Sequence, residues 1–187
     1  MIVGLWFIKQ QDQEFNNNMN EHTEQEPGNK PVDDNENGLE ENTKPDPFVG
    51  ADFTLIATSA INIQDLVKYG LPIIVDYGSE GCMPCQSMKP ALKAVHAKMY
   101  RKAFIKYIDV WEYPEAAYDL PFNLIPTQIF YNADGTPFVP SEELSSKIQF
   151  SFYGDNVTGQ HVYTTHTGPL TEAEFDLILK EMGVVYD

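Results

Sequence analysis

The stretch Ile73-Ile74-Val75-Asp76-Tyr77-Gly78-Ser79-Glu80-Gly81-Cys82-Met83-Pro84-Cys85 decides the reading of this chain. Its first five residues form a short β-branched run suited to a strand buried on both faces. A glycine-rich turn follows. A helical segment then runs from Cys82 to about Tyr100, with Met88, Leu92, Val95 and Met99 recurring every three or four positions. Two cysteines separated by two residues therefore stand where a buried strand gives way to a helix. A helix start carries unpaired N–H groups and a partial positive charge, which favour a thiolate on the first cysteine. The second lies one turn further in, within reach of a mixed disulfide formed at the first.

Working outward, the pattern is βα alternation. Ser59 is placed to cap a helix carrying Ile63, Leu66 and Val67 that stops at Gly70, just before Pro72. Phe104 to Asp109 predicts a second strand and Tyr113 to Leu120 a short helix. Thr127 to Tyr131 predicts a third strand, closed by the turn Asn132-Ala133-Asp134-Gly135. The last helix starts at Thr171, with Glu174 three residues on as a capping box, and carries Phe175, Ile178 and Leu179 inward until Gly183. Between them Ile148, Phe150 and Phe152 alternate, Gly154-Asp155-Asn156 turns, and His161, Tyr163 and Thr165 alternate again. This predicts a lengthened hairpin over 138–165 at one sheet edge. The expected class is α/β, a mixed central sheet flanked by helices on both faces.

Charge sets the boundaries. The 187 residues hold 28 Asp and Glu against 12 Lys and Arg, a net charge of −16, which argues against a nucleic-acid partner. Residues 1–50 carry 11 acidic and 3 basic side chains, so half of that net charge lies in little more than a quarter of the chain. Almost no aliphatic residue stands between Phe15 and Pro47, too little apolar surface to offset about 1–2 kcal/mol per residue of backbone ordering. Residues 1–49 are therefore expected to be an acidic, disordered tail or spacer, and residues 50–187 one domain. The apolar start Met1-Ile2-Val3-Gly4-Leu5-Trp6-Phe7-Ile8 lacks the basic flank and cleavage site of a signal peptide. It favours an exported chain tethered by an N-terminal segment, with the spacer behind it. A cytoplasmic chain with a frayed end is the alternative.

The pair is the whole cysteine inventory. A zinc site needs two more ligands, and His22, His96, His161 and His166 are not at ligand spacing from it, so redox chemistry is the better reading. Around the pair, Asp76 lies six residues upstream of Cys82 in Val75-Asp76-Tyr77, and Pro90 lies five residues after Cys85. Ile125-Pro126-Thr127 and Gly168-Pro169-Leu170-Thr171 follow in order. In that order and spacing these segments resemble the thioredoxin family over most of residues 53–187. The resemblance implies a thioredoxin-like fold and a thiol-disulfide oxidoreductase that reduces disulfides in client proteins. Cys82 would attack and Cys85 would resolve. Asp76, buried beneath them, would exchange a proton with Cys85. Pro126 would hold a cis bond and leave the Ile125 backbone free to pair with an extended substrate, so that Met83, Pro84, Ile125 and Thr127 line the substrate site. No cofactor beyond the redox-active disulfide is implied. The implied partners are protein disulfides and an upstream thiol reductase or membrane thiol relay, with the chain a monomer.

The departures are as specific as the matches. The family's aromatic approach to the motif is replaced by Gly78-Ser79-Glu80-Gly81, which predicts an open and mobile rim around Cys82, with Trp6 and Trp111 elsewhere. Met83-Pro84 stands between the cysteines where thioredoxins proper have Gly-Pro, leaving the direction of electron flow open. The family's lysine near the carboxylate corresponds to either Lys106 or Tyr107. The competing functions are a disulfide oxidase or isomerase, a metal-delivery protein using Cys82, Cys85 and His161 or His166, and a binding module with a vestigial pair. The three-residue cysteine spacing of copper-delivery relatives disfavours the second of these.

Overall fold

The computed structural model describes residues 45–186. Its elements are β1 (Ile56–Ala57), α1 (Ile63–Val67), β2 (Ile73–Gly78), α2 (Met83–Lys98), β3 (Phe104–Asp109), a 3-10 turn (Pro114–Ala117), β4 (Thr127–Tyr131), α3 (Glu142–Ser145), β5 (Ser151–Gly154), β6 (His161–Thr167) and α4 (Glu172–Glu181). Six strands form one sheet in the order β1-β3-β2-β4-β6-β5. The β1–β3 and β3–β2 pairs are parallel. The β2–β4, β4–β6 and β6–β5 pairs are antiparallel.

Both faces of the central strands are covered, so β2, β3 and β4 are buried throughout and read as apolar runs rather than as alternations. Period-two geometry nevertheless sorts their side chains. Ile74, Ile105 and Phe130 face a core built with α2, α3 and α4, from Met88, Leu92, Leu144, Phe175 and Ile178. Ile73, Val75, Phe104, Ile108 and Ile129 face a second core closed by Leu66 of α1 and Ala116 of the 3-10 turn. The register sets Tyr107 beside Asp76 and Asp76 beside Gln128, so a row of three polar side chains crosses the first face.

Caps and turns fix the ends. Thr171 and Glu174 make the reciprocal capping box of α4. The β4 turn closes through Gly135 at φ +82°, a conformation that favours glycine. Asn62 rather than Ser59 caps α1, accepting from the Gln64 N–H at 3.2 Å, so that helix is a bare five residues. Tyr113 to Leu120 closes to the single 3-10 turn at Pro114–Ala117.

The 138–165 segment departs from a simple hairpin. Ser141 caps the one-turn helix α3, and the Ile148 N–H bonds the Leu144 carbonyl, so Ile148 enters the core from an irregular segment instead of a strand. Only Ser151–Gly154 forms the outer strand, paired with β6, which itself lies beside β4. The tail expected over 1–49 lies outside the described residues up to position 44. Residues 45–49 pack on the domain: Phe48 stacks edge-on to Phe53 at 5.8 Å, and Asp46 binds Arg101.

Candidate active site

Cys82 and Cys85 are joined as a disulfide across one turn, with their Cα atoms 5.3 Å apart. Cys82 is the N-cap of α2. Its Sγ accepts from the Cys85 N–H at 3.3 Å, the position that a capping oxygen ordinarily fills. Once the pair is reduced, that N–H and the positive helix end favour a thiolate at Cys82 over one at Cys85. Both cysteines are nearly buried, with Cys82 9% and Cys85 6% exposed. Met83, between them, is 83% exposed. Pro84 occupies the first turn, where its missing N–H leaves no bond unmade, and Pro90 lies inside the helix, where Gln86 loses its ordinary donor.

The Ile125–Pro126 peptide is cis, and the Ile125 carbonyl lies 3.7 Å from Cys82 Sγ. Thr127 is turned inward, its hydroxyl donating to the Leu124 carbonyl at 2.8 Å. The structure thus brings Cys82, Cys85, Ile125 and Pro126 together, with Met83 at the rim. Thr127 begins β4 beneath the loop rather than facing solvent.

Asp76 lies below the disulfide and is 1% exposed. Burial pushes its carboxyl up to about 7, and the hydrogen bond donated by Gln128 Nε2 to Oδ1 at 2.7 Å offsets this only in part. Its Oδ2 has no hydrogen-bond partner among the described residues. A cleft of about 20 Å³, room for roughly one water, is lined by Asp76, Ser79, Cys85, Lys93 and Tyr107 among others. The carboxyl and the resolving cysteine therefore border one small cleft. This arrangement can hold a proton near neutral pH at Asp76 and exchange it with the Cys85 sulfur.

A thioredoxin family model matches residues 55–149, just over half of the chain. This chain belongs to the thioredoxin family. It is 27% identical over 81 residues to the mitochondrial thioredoxin of Bos taurus, covering 40% of this chain and 49% of that one. It is 36% identical over 72 residues to the chloroplastic thioredoxin Y1 of Arabidopsis thaliana, covering 38% and 41%. The chain thus spans about half the length of these relatives or less. The X-ray structure of Fasciola hepatica thioredoxin aligns with 69% of this chain and 99% of its own at 18% identity, with a TM-score of 0.47.

Within this thioredoxin domain the rim of Cys82 is not open, and the expectation that Trp111 lies elsewhere is corrected. A Cβ placed on Gly81 would lie 2.3 Å from Trp111 Cζ3, so the indole is seated directly on the backbone before Cys82. At Gly78 a Cβ would lie 2.9 Å from the Tyr107 ring and 3.4 Å from Cys85 Sγ. Both glycines where the family carries aromatics are thus covered by aromatics from the end of β3 and the loop beyond it. Asp109 ties the two loops together: Oδ2 accepts from the Glu80 N–H at 2.8 Å, and Oδ1 from the N–H groups of Trp111 at 2.9 Å and Glu112 at 3.3 Å. Burial opposes its ionisation, but these donors, with the Ser79 hydroxyl, hold Asp109 below the usual carboxylate range. Sequence reasoning missed Trp111 and Asp109 because the contact joins positions thirty apart. The signal was available in the parallel pairing, which sets Gly78 beside Asp109.

The two candidates for the family lysine also separate. Tyr107 shares the face of Asp76, whereas Lys106 points to the opposite face, where its Nζ binds Asp52 at 2.9 Å and the Thr54 carbonyl at 2.8 Å. The histidines considered for metal delivery are engaged on β6: His161 Nε2 lies 2.9 Å from the Tyr163 carbonyl, and His166 Nδ1 lies 2.8 Å from the Gln149 carbonyl. Among the described residues no group of three His, Cys, Asp or Glu side chains is disposed to hold a metal.

Proposed function

We propose that the protein is a thiol-disulfide oxidoreductase that reduces disulfides in client proteins. The observation that carries this reading is the Cys82–Cys85 pair at a helix N-terminus with a proton-holding carboxyl, Asp76, bordering the same cleft as Cys85. In the reduced protein, the Cys82 thiolate attacks one sulfur of a client disulfide, forming a mixed disulfide and releasing one client thiolate. Asp76 takes the proton of Cys85, whose thiolate then attacks Cys82 Sγ. The second client thiolate leaves, and the Cys82–Cys85 disulfide seen here is formed. Two electrons pass to the client, whose thiolates take up two protons, one of which is returned through Asp76. The Ile125 carbonyl, beside Cys82 Sγ, is placed to accept from the backbone of an extended client.

Regeneration needs a dithiol donor, either a soluble reductase or a membrane thiol relay. The exported, tethered placement that favours the relay rests on residues 1–44, outside the described residues, and belongs to this proposal. Cell fractionation with the native N-terminus read by mass spectrometry tests it. The activity itself is tested by reduction of a protein disulfide, with Cys82→Ser inactive and Cys85→Ser accumulating mixed disulfides. A midpoint potential well above about −200 mV would turn the reading toward an oxidase.

A further inference from the structure

We propose that Trp111 is a client-binding residue of this site, and that the client segment it takes carries an apolar side chain next to its cysteine and basic residues just beyond. The inference rests on the client-reductase reading. Its observations are independent of that reading's chemistry. Trp111 is 65% exposed although its indole lies against Gly81, so one face is seated and the other is presented to solvent beside the attacking sulfur. Met83, adjoining Cys82, and Leu124, adjoining the Ile125 carbonyl that touches Cys82 Sγ, are also exposed, at 83% and 64%. Three large exposed apolar side chains thus stand against or next to Gly81, Cys82 and Ile125, the segments that enclose the attacking cysteine. An apolar surface of this kind, centred on a reactive atom, marks a contact site.

The seat is built rather than accidental. Gly81 has no positive φ to require glycine, so the demand is for space: any side chain there would displace the indole. The Asp109 carboxylate holds the Trp111 and Glu80 backbones at once, fixing the loop that carries the indole against the loop that carries Gly81. Asp109 is a positioning residue for that contact. A seated indole gives a large, rigid apolar face at little entropic cost to a partner, which is why tryptophan dominates recognition surfaces.

Charge completes the choice of partner. Beyond Trp111, the exposed residues Glu112, Glu115 and Asp119 follow with no Lys or Arg between positions 107 and 121. A client strand leaving the sulfur across Trp111 meets this acidic surface, which favours lysine or arginine in the client and rejects acidic flanks.

Two disulfide-cyclised peptides, identical except for Phe-Lys or Ser-Glu after one cysteine, test the proposal with the reduced protein. Wild type is expected to favour the Phe-Lys peptide by about tenfold in kcat/KM, mostly through KM. Trp111→Ala removes that preference, Trp111→Phe keeps most of it, and Gly81→Trp/Trp111→Ala restores it. The midpoint potential is expected to be unchanged throughout. A Trp111→Ala variant that keeps the preference, or loses rate equally on both peptides, overturns the inference. Equal wild-type rates on the two peptides overturn it while the reductase reading stands. Failure of wild type to reduce any disulfide overturns both.

Discussion

Strands β2 and β3 each bury a charged side chain in mid-strand, on opposite faces of the sheet, Asp76 at 1% and Lys106 at 2% exposure, and treat them in opposite ways. Lys106 meets a carboxylate and a carbonyl, and its partner Asp52 is held at about 2 because hydrogen bonds from Thr54 and Lys106 outweigh partial burial. Asp76 meets one amide and a small cleft, keeps an oxygen without a partner among the described residues, and is raised to about 7. Depth is the same, so the difference lies in the supply of opposite charge. On the Lys106 face the chain neutralises a charge. On the Asp76 face it leaves a group whose proton is exchangeable at working pH, beside the resolving cysteine.

Removing the carboxylate gives the largest effect. The folded protein holds a proton on Asp76 that the unfolded chain releases near pH 3.8, so stability falls as pH rises from about 4 to about 7 and levels off above that. Asp76→Asn has no such proton and preserves an acceptor for Gln128. In the disulfide form it should match wild type near pH 4 and exceed it by ~4 kcal/mol near pH 8. Urea unfolding at the two pH values checks this, and an equal difference at both would sink the assignment. In the reduced protein the same variant should slow resolution of the mixed disulfide by about 10²-fold or more and lose the pH dependence near 7.

Supplying a counter-charge to the Asp76 face removes the contrast. Tyr107→Lys places a cation in register with Asp76, and its titration should move from about 7 to about 4–6. The pH range over which stability falls should shrink to match, read by the same unfolding series. If the range is unchanged, Tyr107 does not face the carboxyl.

Stripping the counter-charge from the other face gives a smaller effect. Asp52→Asn leaves Lys106 buried with neutral acceptors but no counter-charge, and should lower stability by about 2 kcal/mol at neutral pH. That is below the usual cost of breaking a buried pair, because Asp52 is itself largely exposed. Since Asp52 has a depressed pKa, its contribution is present above about pH 4 and lost as pH falls through about 2. The variant and wild type should therefore converge in acid.

The Asp76 side of this comparison was legible in the sequence and the Lys106 side was not. An aspartate inside Ile73-Ile74-Val75-Asp76-Tyr77 declares a buried carboxyl, because both neighbours and the run itself belong to a two-faced core. The cysteines declare themselves by standing at the strand-to-helix junction. Lys106 stands in a run just as apolar, Phe104-Ile105-Lys106-Tyr107-Ile108, but its partner Asp52 precedes a two-residue strand too short to show any period. The short helix α3 was missed for the same reason: one turn leaves no periodicity to read. The indole on Gly81 was misjudged because a glycine reads as vacant space until the neighbouring strand is known to fill it.

The smallest effect separates the two glycines that admit these aromatics. At Gly81 an added methyl would unseat Trp111, an exposed ring whose displacement opens no core, so Gly81→Ala should leave stability nearly unchanged and alter only client preference. At Gly78 the methyl meets the Tyr107 ring at 2.9 Å with Cys85 Sγ at 3.4 Å behind it, and both neighbours are nearly buried. Nothing there yields freely, and Gly78→Ala should cost about 1–2 kcal/mol as the ring shifts. Tyr107 also lines the cleft shared with Asp76, so a displaced ring admits water and lowers the Asp76 titration from about 7 toward the ordinary carboxylate range. Urea unfolding against pH reads both quantities in one series. A stability loss without movement of the Asp76 window would make Tyr107 a packing residue only, and the carboxyl would then owe its proton to depth alone, against the opposing hydrogen bond from Gln128.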